Sequence, residues 1–168
     1  MSPFIELTKT MSWTKFNDLK SFTKTDIQGI SPELVERIRN PEIHAGKGAC
    51  PLLVLGTFGD QRTAVGTLRH ADNVITVTGI ECDFDDDEGG YLSIEAASDT
   101  LRIFGIRAVL RTTASHTLEK PRWRIFLPLL RPHVPGARHG LVARVNGLLG
   151  GVLAIESSPC HSPTITAR

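Results

Sequence analysis

Two aspartates end one hydrophobic stretch of this chain, and their spacing is its strongest chemical signal. Residues 77–84 have the apolar and β-branched character of a strand, and Asp83 and Asp85 lie at its end. Side chains alternate between the faces of a strand, so both aspartates are predicted to project from one face. Neighbouring carboxylates repel each other, and a divalent cation such as Mg²⁺ or Mn²⁺ relieves that repulsion. A solvated acidic loop is the alternative interpretation.

Basic residues downstream form the second signal. Ser115 and His116 follow another predicted strand, and Lys120, Arg122 and Arg124 alternate along a third, so these three share a face. Metal-dependent nucleotidyl transfer needs carboxylates that hold cations, together with a histidine and basic side chains that bind a triphosphate. Each feature alone is weak, but together they predict a site for metal and polyphosphate.

A strand–helix–strand unit is predicted to position these groups. Ser93 is a good N-cap and Gly105 is placed to follow the last turn, so a helix is expected between them. A strand at 106–110 completes a right-handed parallel unit, in which the two strand ends should lie side by side. Residues 122–127 are expected to return as an antiparallel partner.

The rest of the chain predicts smaller elements. A helix should begin with Ser31 as N-cap and end at Asn40, and a second should span 135–149. Further strands are expected at 3–8, 52–55 and 152–156, with loops at 44–51 and 58–73. Four apolar residues spaced by about three are expected to pack in the core: Trp13, Phe16, Leu19 and Phe22.

Length and composition fit one globular domain. The chain has 168 residues, of which 40% are hydrophobic and 22% charged, with a net charge of +1. Its three cysteines have no close spacing, which argues against a disulfide scaffold and favours a reducing, cytoplasmic setting. No signal peptide or membrane span is recognisable, so no membrane association is expected.

Two motifs resemble those of a known family. Residues 80–85, Ile-Glu-Cys-Asp-Phe-Asp, and residues 114–116, Ala-Ser-His, resemble the motifs of the archaeo-eukaryotic primase superfamily. Residues 113–124, with Pro128 and Arg131-Pro132, are similar to the primase–polymerase (prim-pol) domains of phages, prophages and plasmids. The resemblance covers roughly residues 50 to 157. It implies an α/β (α+β) catalytic core with an RRM-like, mixed and mostly antiparallel sheet and helices packed against it.

The resemblance also implies roles for individual residues. Asp83 and Asp85 would hold Mg²⁺ or Mn²⁺, and His116 would contact the nucleoside triphosphate. Glu156 is the candidate for the third acidic ligand, a position at which the family more often has aspartate. The implied contacts to triphosphate and template are Ser115, Lys120, Arg122 and Arg124.

The implied activity is synthesis or extension of a primer on single-stranded DNA from nucleoside triphosphates. The setting would be replication of a phage or other mobile element in a bacterial cytoplasm, with a replicative helicase as a further partner. One alternative is an inactive, truncated remnant that binds nucleotide, nucleic acid or a protein partner. Another is a metal-dependent phosphodiesterase or nuclease that uses the same aspartates.

The C-terminal residues depart from the family pattern. Residues 1–156 are expected to form an incomplete catalytic domain, followed by an irregular tail at 157–168. For one choice of codons, restoring a single thymine after Ser157 reads Phe-Thr-Leu-Ser-Gln-Ser-Tyr-Tyr-Tyr-Gly, which fits the family. We therefore hypothesise that a frameshift truncates the domain; a disordered tail unrelated to any frameshift is the alternative. A gene sequence whose other frame does not continue the domain would contradict the frameshift.

Overall fold

The chain folds into a mixed α+β structure, as the sequence predicts. The computed structural model describes residues 10–40, 51–85, 92–113 and 115–154. Its strands are β1 (Thr10–Phe16), β2 (Lys24–Ile30), β3 (Leu52–Val54), β4 (Gly56–Phe58), β5 (Val74–Asp85), β6 (Val109–Thr112) and β7 (Arg122–His133). Its helices are α1 (Ser31–Arg39), α2 (Ile94–Ile103) and α3 (Ala137–Leu148). Among these elements, no helix has the length and apolar composition needed to cross a membrane.

The strands form two sheets in which neighbouring strands are antiparallel. The smaller sheet has the order β2-β1-β3, and the larger has the order β4-β5-β7-β6. β5 and β6 both run antiparallel to β7, so they are parallel to each other, but they are not neighbours. The expectation that their ends lie side by side is therefore wrong. The short β6–β7 connection makes those strands a hairpin, and β7 occupies the position beside β5.

The larger sheet buries side chains on both faces. On one face, Cys82 and Phe84 of β5 and Trp123 of β7 pack against Ala97 and Leu101 of α2. The rings of Phe84 and Trp123 stack with centroids 4.7 Å apart, and the Trp123 indole donates to the Leu92 carbonyl at 3.0 Å. On the opposite face, a second core joins the two sheets and α1; its buried members are Trp13, Leu34, Ile38, Leu55 and Phe126.

Helix ends follow the predicted chemistry with small shifts. The Ser93 hydroxyl accepts a hydrogen bond from the Ala96 N–H at 3.1 Å, and Gly105 has φ +67° after the last turn of α2, as predicted. The N-cap of α1 is Ile30 rather than Ser31, and Glu33 reaches back to the Ile30 N–H at 3.2 Å. The Glu33 carboxylate thus supplies an acceptor at this helix end, where the apolar side chain of Ile30 has none.

Several predicted elements differ in position. Trp13 and Phe16 are buried in β1, but Leu19 and Phe22 are 43% and 40% exposed, because they lie in the turn to β2. The strand predicted at 106–110 lies at Val109–Thr112, and the helix predicted from 135 begins at Ala137. Residues 152–154 are not a strand. The strand at 3–8, residues 44–50 and 86–91, Ala114, Glu156 and the tail lie outside the described residues.

Candidate functional site

The predicted aspartates lie on one face of β5, opposite arginines of β7. Asp83 is in register with Arg124, and Asp85 is in register with Arg122. Residues opposite each other in a sheet carry side chains on the same face, so these four groups form one ionic patch. Their side chains are 24–41% exposed, so the patch is open to solvent. We call these four residues the ionic patch.

Asp83 and Arg124 form a two-pronged pair. Arg124 Nη2 donates to Asp83 Oδ2 at 2.8 Å, and Arg124 Nε donates to Asp83 Oδ1. Burial alone would lower the pKa of Arg124, but the hydrogen bonds and charge of Asp83, aided by the charge of Glu81, raise that pKa overall. Arg124 is therefore a fixed cation, and both oxygens of Asp83 are engaged by it.

Asp85 and Arg122 form a looser pair. Arg122 Nε lies 2.9 Å from Asp85 Oδ1, yet neither atom makes an aligned hydrogen bond. The contact therefore compensates charge without the directed bonding of the Asp83–Arg124 pair.

His116 lies at the same end of β5 and β7. Its Nδ1 accepts a hydrogen bond from the Arg122 N–H at 3.1 Å, so Nδ1 carries no proton in this arrangement. Since Arg122 is opposite Asp85, the half-buried imidazole contacts the backbone of a patch residue. Ser115 and Lys120 are exposed in the same β6–β7 turn, where the Ser115 hydroxyl is 3.3 Å from that of Thr113.

A further arginine extends the positive charge of the patch. Arg111 of β6 is in register with Arg124 and donates to the Ile38 carbonyl, near the C-terminus of α1, at 3.4 Å. We did not predict Arg111 as part of the site. The alternation of β6 could have placed Arg111 once its pairing with β7 was known.

Glu81, on the same strand, has a different environment. Its side chain is 11% exposed and lies 2.9 Å from the guanidinium of Arg138, which is 7% exposed. Glu81 also accepts a hydrogen bond from the Leu55 N–H, and Arg138 donates to the Gly79 and Glu81 carbonyls at 3.4 and 3.2 Å. Glu81 thus joins α3 to the β3–β4 connection and takes no part in the exposed patch.

The donor chemistry of the patch fits a divalent cation in part. Two half-exposed carboxylates on one face supply the hard oxygen ligands that Mg²⁺ and Mn²⁺ prefer. In the part of the chain that the structure describes, no three histidine, cysteine or acidic side chains lie close enough to form a metal centre. The proposed third ligand, Glu156, lies outside the described residues, but Ala154 N–H donates to the Asp83 carbonyl at 2.9 Å.

A groove runs along β6. It has a volume of about 1160 Å³ and lies between α1 and α2. Val35 and Ile38 line one wall, Ile94 and Asp99 line the other, and Arg111 and Thr113 lie on its floor. Arg111, which is in register with Arg124, is the lining residue that relates the groove to the ionic patch.

Comparisons of the chain with known protein families, with characterised proteins and with solved structures find no match.

Proposed function

We propose that the ionic patch catalyses metal-dependent nucleotidyl transfer, as in a DNA primase or polymerase that extends a strand on single-stranded DNA. The observation that carries this proposal is the register of Asp83 and Asp85 with Arg124 and Arg122 on one solvent-open face of the sheet. Carboxylates for cations and guanidinium groups for phosphates are thereby adjacent, which is what phosphoryl chemistry requires.

The topology around the patch supports the same proposal. β5, α2, β6, β7 and α3 follow one another as a split βαβ arrangement, with β7 inserted between the two parallel strands. This order agrees with the RRM-like core implied by the family resemblance. The hydrogen bond from Ala154 to Asp83 brings the chain after α3 beside the strand that carries both aspartates.

Each residue has a definite task in this reaction. Arg122 and Arg124 would bind phosphate oxygens, for which the planar guanidinium is suited, and His116 would donate from Nε2 because Nδ1 accepts from the backbone. Asp83 and Asp85 would hold Mg²⁺ or Mn²⁺, which reduces the negative charge on the reacting oxygens. The groove along β6 would accept the nucleic acid strand, with Arg111 near its phosphates.

A second function is favoured by the pairing of both aspartates with arginines. Groups that already neutralise each other bind a metal less readily, so the patch would bind a triphosphate or nucleic acid without turnover. This is the behaviour of an inactive remnant. It differs from the first proposal in one measurable respect, which is incorporation of nucleotide.

The test is a primer-synthesis and extension assay. The protein is incubated with single-stranded template, with and without primer, and with labelled nucleoside triphosphates and Mn²⁺. We expect incorporation by the wild-type chain and its loss, by at least about 100-fold, in Asp83→Ala, because a metal ligand is removed. Asp60→Ala is the matched control. Asp60 is 95% exposed, and its substitution removes the same charge from another part of the surface.

Circular dichroism should show that both variants remain folded. A folded Asp83→Ala variant with wild-type incorporation would exclude the proposed mechanism. Binding of triphosphate without incorporation by the wild type would support the non-catalytic function, and shortening of the strand would indicate a nuclease.

A further inference from the structure

We infer that Arg124 couples metal binding at Asp83 to the binding of a polyphosphate. The same guanidinium can pair either with the Asp83 carboxylate or with phosphate oxygens. In the free protein Arg124 holds the Asp83 carboxylate. When a polyphosphate binds, Arg124 exchanges the carboxylate for phosphate oxygens and releases Asp83 to a divalent cation. This inference rests on the proposed function and adds an order of assembly to it.

The geometry of Asp83 carries the first step. Arg124 donates to both carboxylate oxygens, one through Nε and one through Nη2. A divalent cation at the same oxygens would lie within a few ångströms of a guanidinium with a fixed positive charge, and the two cations would repel each other. Arg124 therefore competes with a divalent cation for the Asp83 carboxylate.

The contrast with Asp85 shows why metal binding is regulated at Asp83. The contact of Arg122 Nε with Asp85 Oδ1 is not an aligned hydrogen bond. Displacing Arg124 breaks two hydrogen bonds to Asp83. The two aspartates are thus unequal, and Asp83 is the one whose availability depends on its arginine.

The surroundings of Arg124 identify the class of ligand that can displace it. Arg111 on the neighbouring strand is in register with Arg124. Two guanidinium groups together attract a polyanion, and a phosphate chain offers the planar, two-oxygen geometry that Arg124 already uses with Asp83. A triphosphate can therefore replace the carboxylate as the partner of Arg124.

The two competitions, of Mn²⁺ with Arg124 for Asp83 and of polyphosphate with Asp83 for Arg124, are measured separately. Mn²⁺ binding is followed by electron paramagnetic resonance in the absence of phosphate, for the wild type, Arg124→Gln and Arg124→Lys. Binding of inorganic tripolyphosphate is followed by calorimetry in metal-free buffer, for the wild type and Asp83→Asn. The matched control is Arg102→Gln, which removes one positive charge from an exposed ion pair on α2.

We expect Arg124→Gln to bind Mn²⁺ about 10-fold more tightly than the wild type, because Asp83 has lost its competing partner. Arg124→Lys should lie between them, since lysine keeps the charge without the two-pronged contact. Arg102→Gln should match the wild type. In metal-free buffer, Asp83→Asn should bind tripolyphosphate about 10-fold more tightly, because Arg124 is no longer held by a carboxylate.

Equal Mn²⁺ affinity in Arg124→Gln and Arg102→Gln would overturn the inference and leave the proposed function standing. Unchanged tripolyphosphate affinity in Asp83→Asn would do the same. If Arg124→Gln does not fold, Arg124→Lys and Asp83→Asn still decide the question. Absence of both Mn²⁺ and tripolyphosphate binding in the wild type and every variant would overturn the proposed function as well.

Discussion

At the scale of single residues, the least exposed ion pair of the described chain lies away from the candidate site. Glu81 and Arg138 have side chains 11% and 7% exposed, and each also bonds to backbone groups. A charge at this depth is tolerated only with its partner, because desolvating an unpaired ion is costly. The pair therefore stabilises the junction between α3, β5 and the β3–β4 connection only while both members are present.

Neutralising either member should destabilise the protein. We expect Glu81→Gln and Arg138→Gln each to lower the free energy of unfolding by about 3 kcal/mol, because the remaining charge stays buried without compensation. The double variant should lose less than the sum of the two. Urea unfolding measures all three. Arg102→Gln, at an exposed pair, should change the free energy by less than about 0.5 kcal/mol, and an equal loss there would contradict the burial argument.

Residue types near the site could be predicted from the sequence, but their pairings could not. Alternation along one strand is enough to place Asp83 and Asp85 on a common face. Their partners lie on β7, and Arg124 is 41 positions from Asp83, so the pairing depends on inter-strand register. Local patterns carry no information on register until the sheet order is known, which is also why Arg111 was missed.

At the scale of elements, α2 depends on its N-terminal residue. The Ser93 hydroxyl accepts from the Ala96 N–H and satisfies one of the donors that a first turn leaves without an intrahelical acceptor. α2 supplies Ala97 and Leu101 to the core beneath β5, so its stability is linked to that of the strand that carries the aspartates.

Replacing this cap should weaken the helix measurably. We expect Ser93→Ala to lower the free energy of unfolding by about 1 kcal/mol, because the Ala96 N–H loses its partner. Ser98→Ala is the control, since Ser98 is exposed in the middle of the same helix, where alanine is the better helix former. Thermal unfolding followed at the far-ultraviolet helix band compares them, and equal stability of the two variants would show that the cap contributes nothing.

Elements were predictable where their ends carry a recognisable chemical signal. α2 has a serine cap and a following glycine, and it was placed within a residue at both ends. The β1–β2 hairpin was missed because its turn uses Ser21, a non-glycine residue at φ 56°, instead of an Asn-Gly or Asp-Gly pair. Ser21 is held there by bonds from its N–H to Asp18 and from the Leu68 N–H to its carbonyl.

At the scale of the whole molecule, one cysteine reports on whether the core is closed. Cys82 lies on the buried face of β5, is 1% exposed, and packs beneath α2 and α3. Burial raises the pKa of its thiol to about 12. Since only the thiolate reacts with disulfide reagents, Cys82 can react only when the helices separate from the sheet.

Labelling of Cys82 should therefore measure global opening. In a Cys50→Ser, Cys160→Ser background, we expect the thiol to react at least about 100-fold more slowly in the folded protein than in guanidinium chloride. The pKa of the thiol is about 9 in the unfolded chain and about 12 in the folded chain, so the folded state keeps the thiol protonated up to a higher pH. Stability should consequently be intact below about pH 9 and decrease as the pH rises toward 12, and urea midpoints over that range measure the decrease.

Fast labelling of the folded chain would show that the helices do not cover β5 stably. A Cys82→Ala variant provides the comparison for the pH series, because it lacks the ionising group. Its midpoint should depend less on pH between about 9 and 12, whatever its absolute stability.

The insertion of β7 between β5 and β6 also sets an order of events for folding. β6 and β7 are joined by a short turn and can pair early, because little chain entropy is lost in closing a short loop. The pairing of β7 with β5 closes a much longer loop, so we expect it to form later. On that order the ionic patch is assembled late, because the opposition of aspartates and arginines needs β5 beside the completed hairpin.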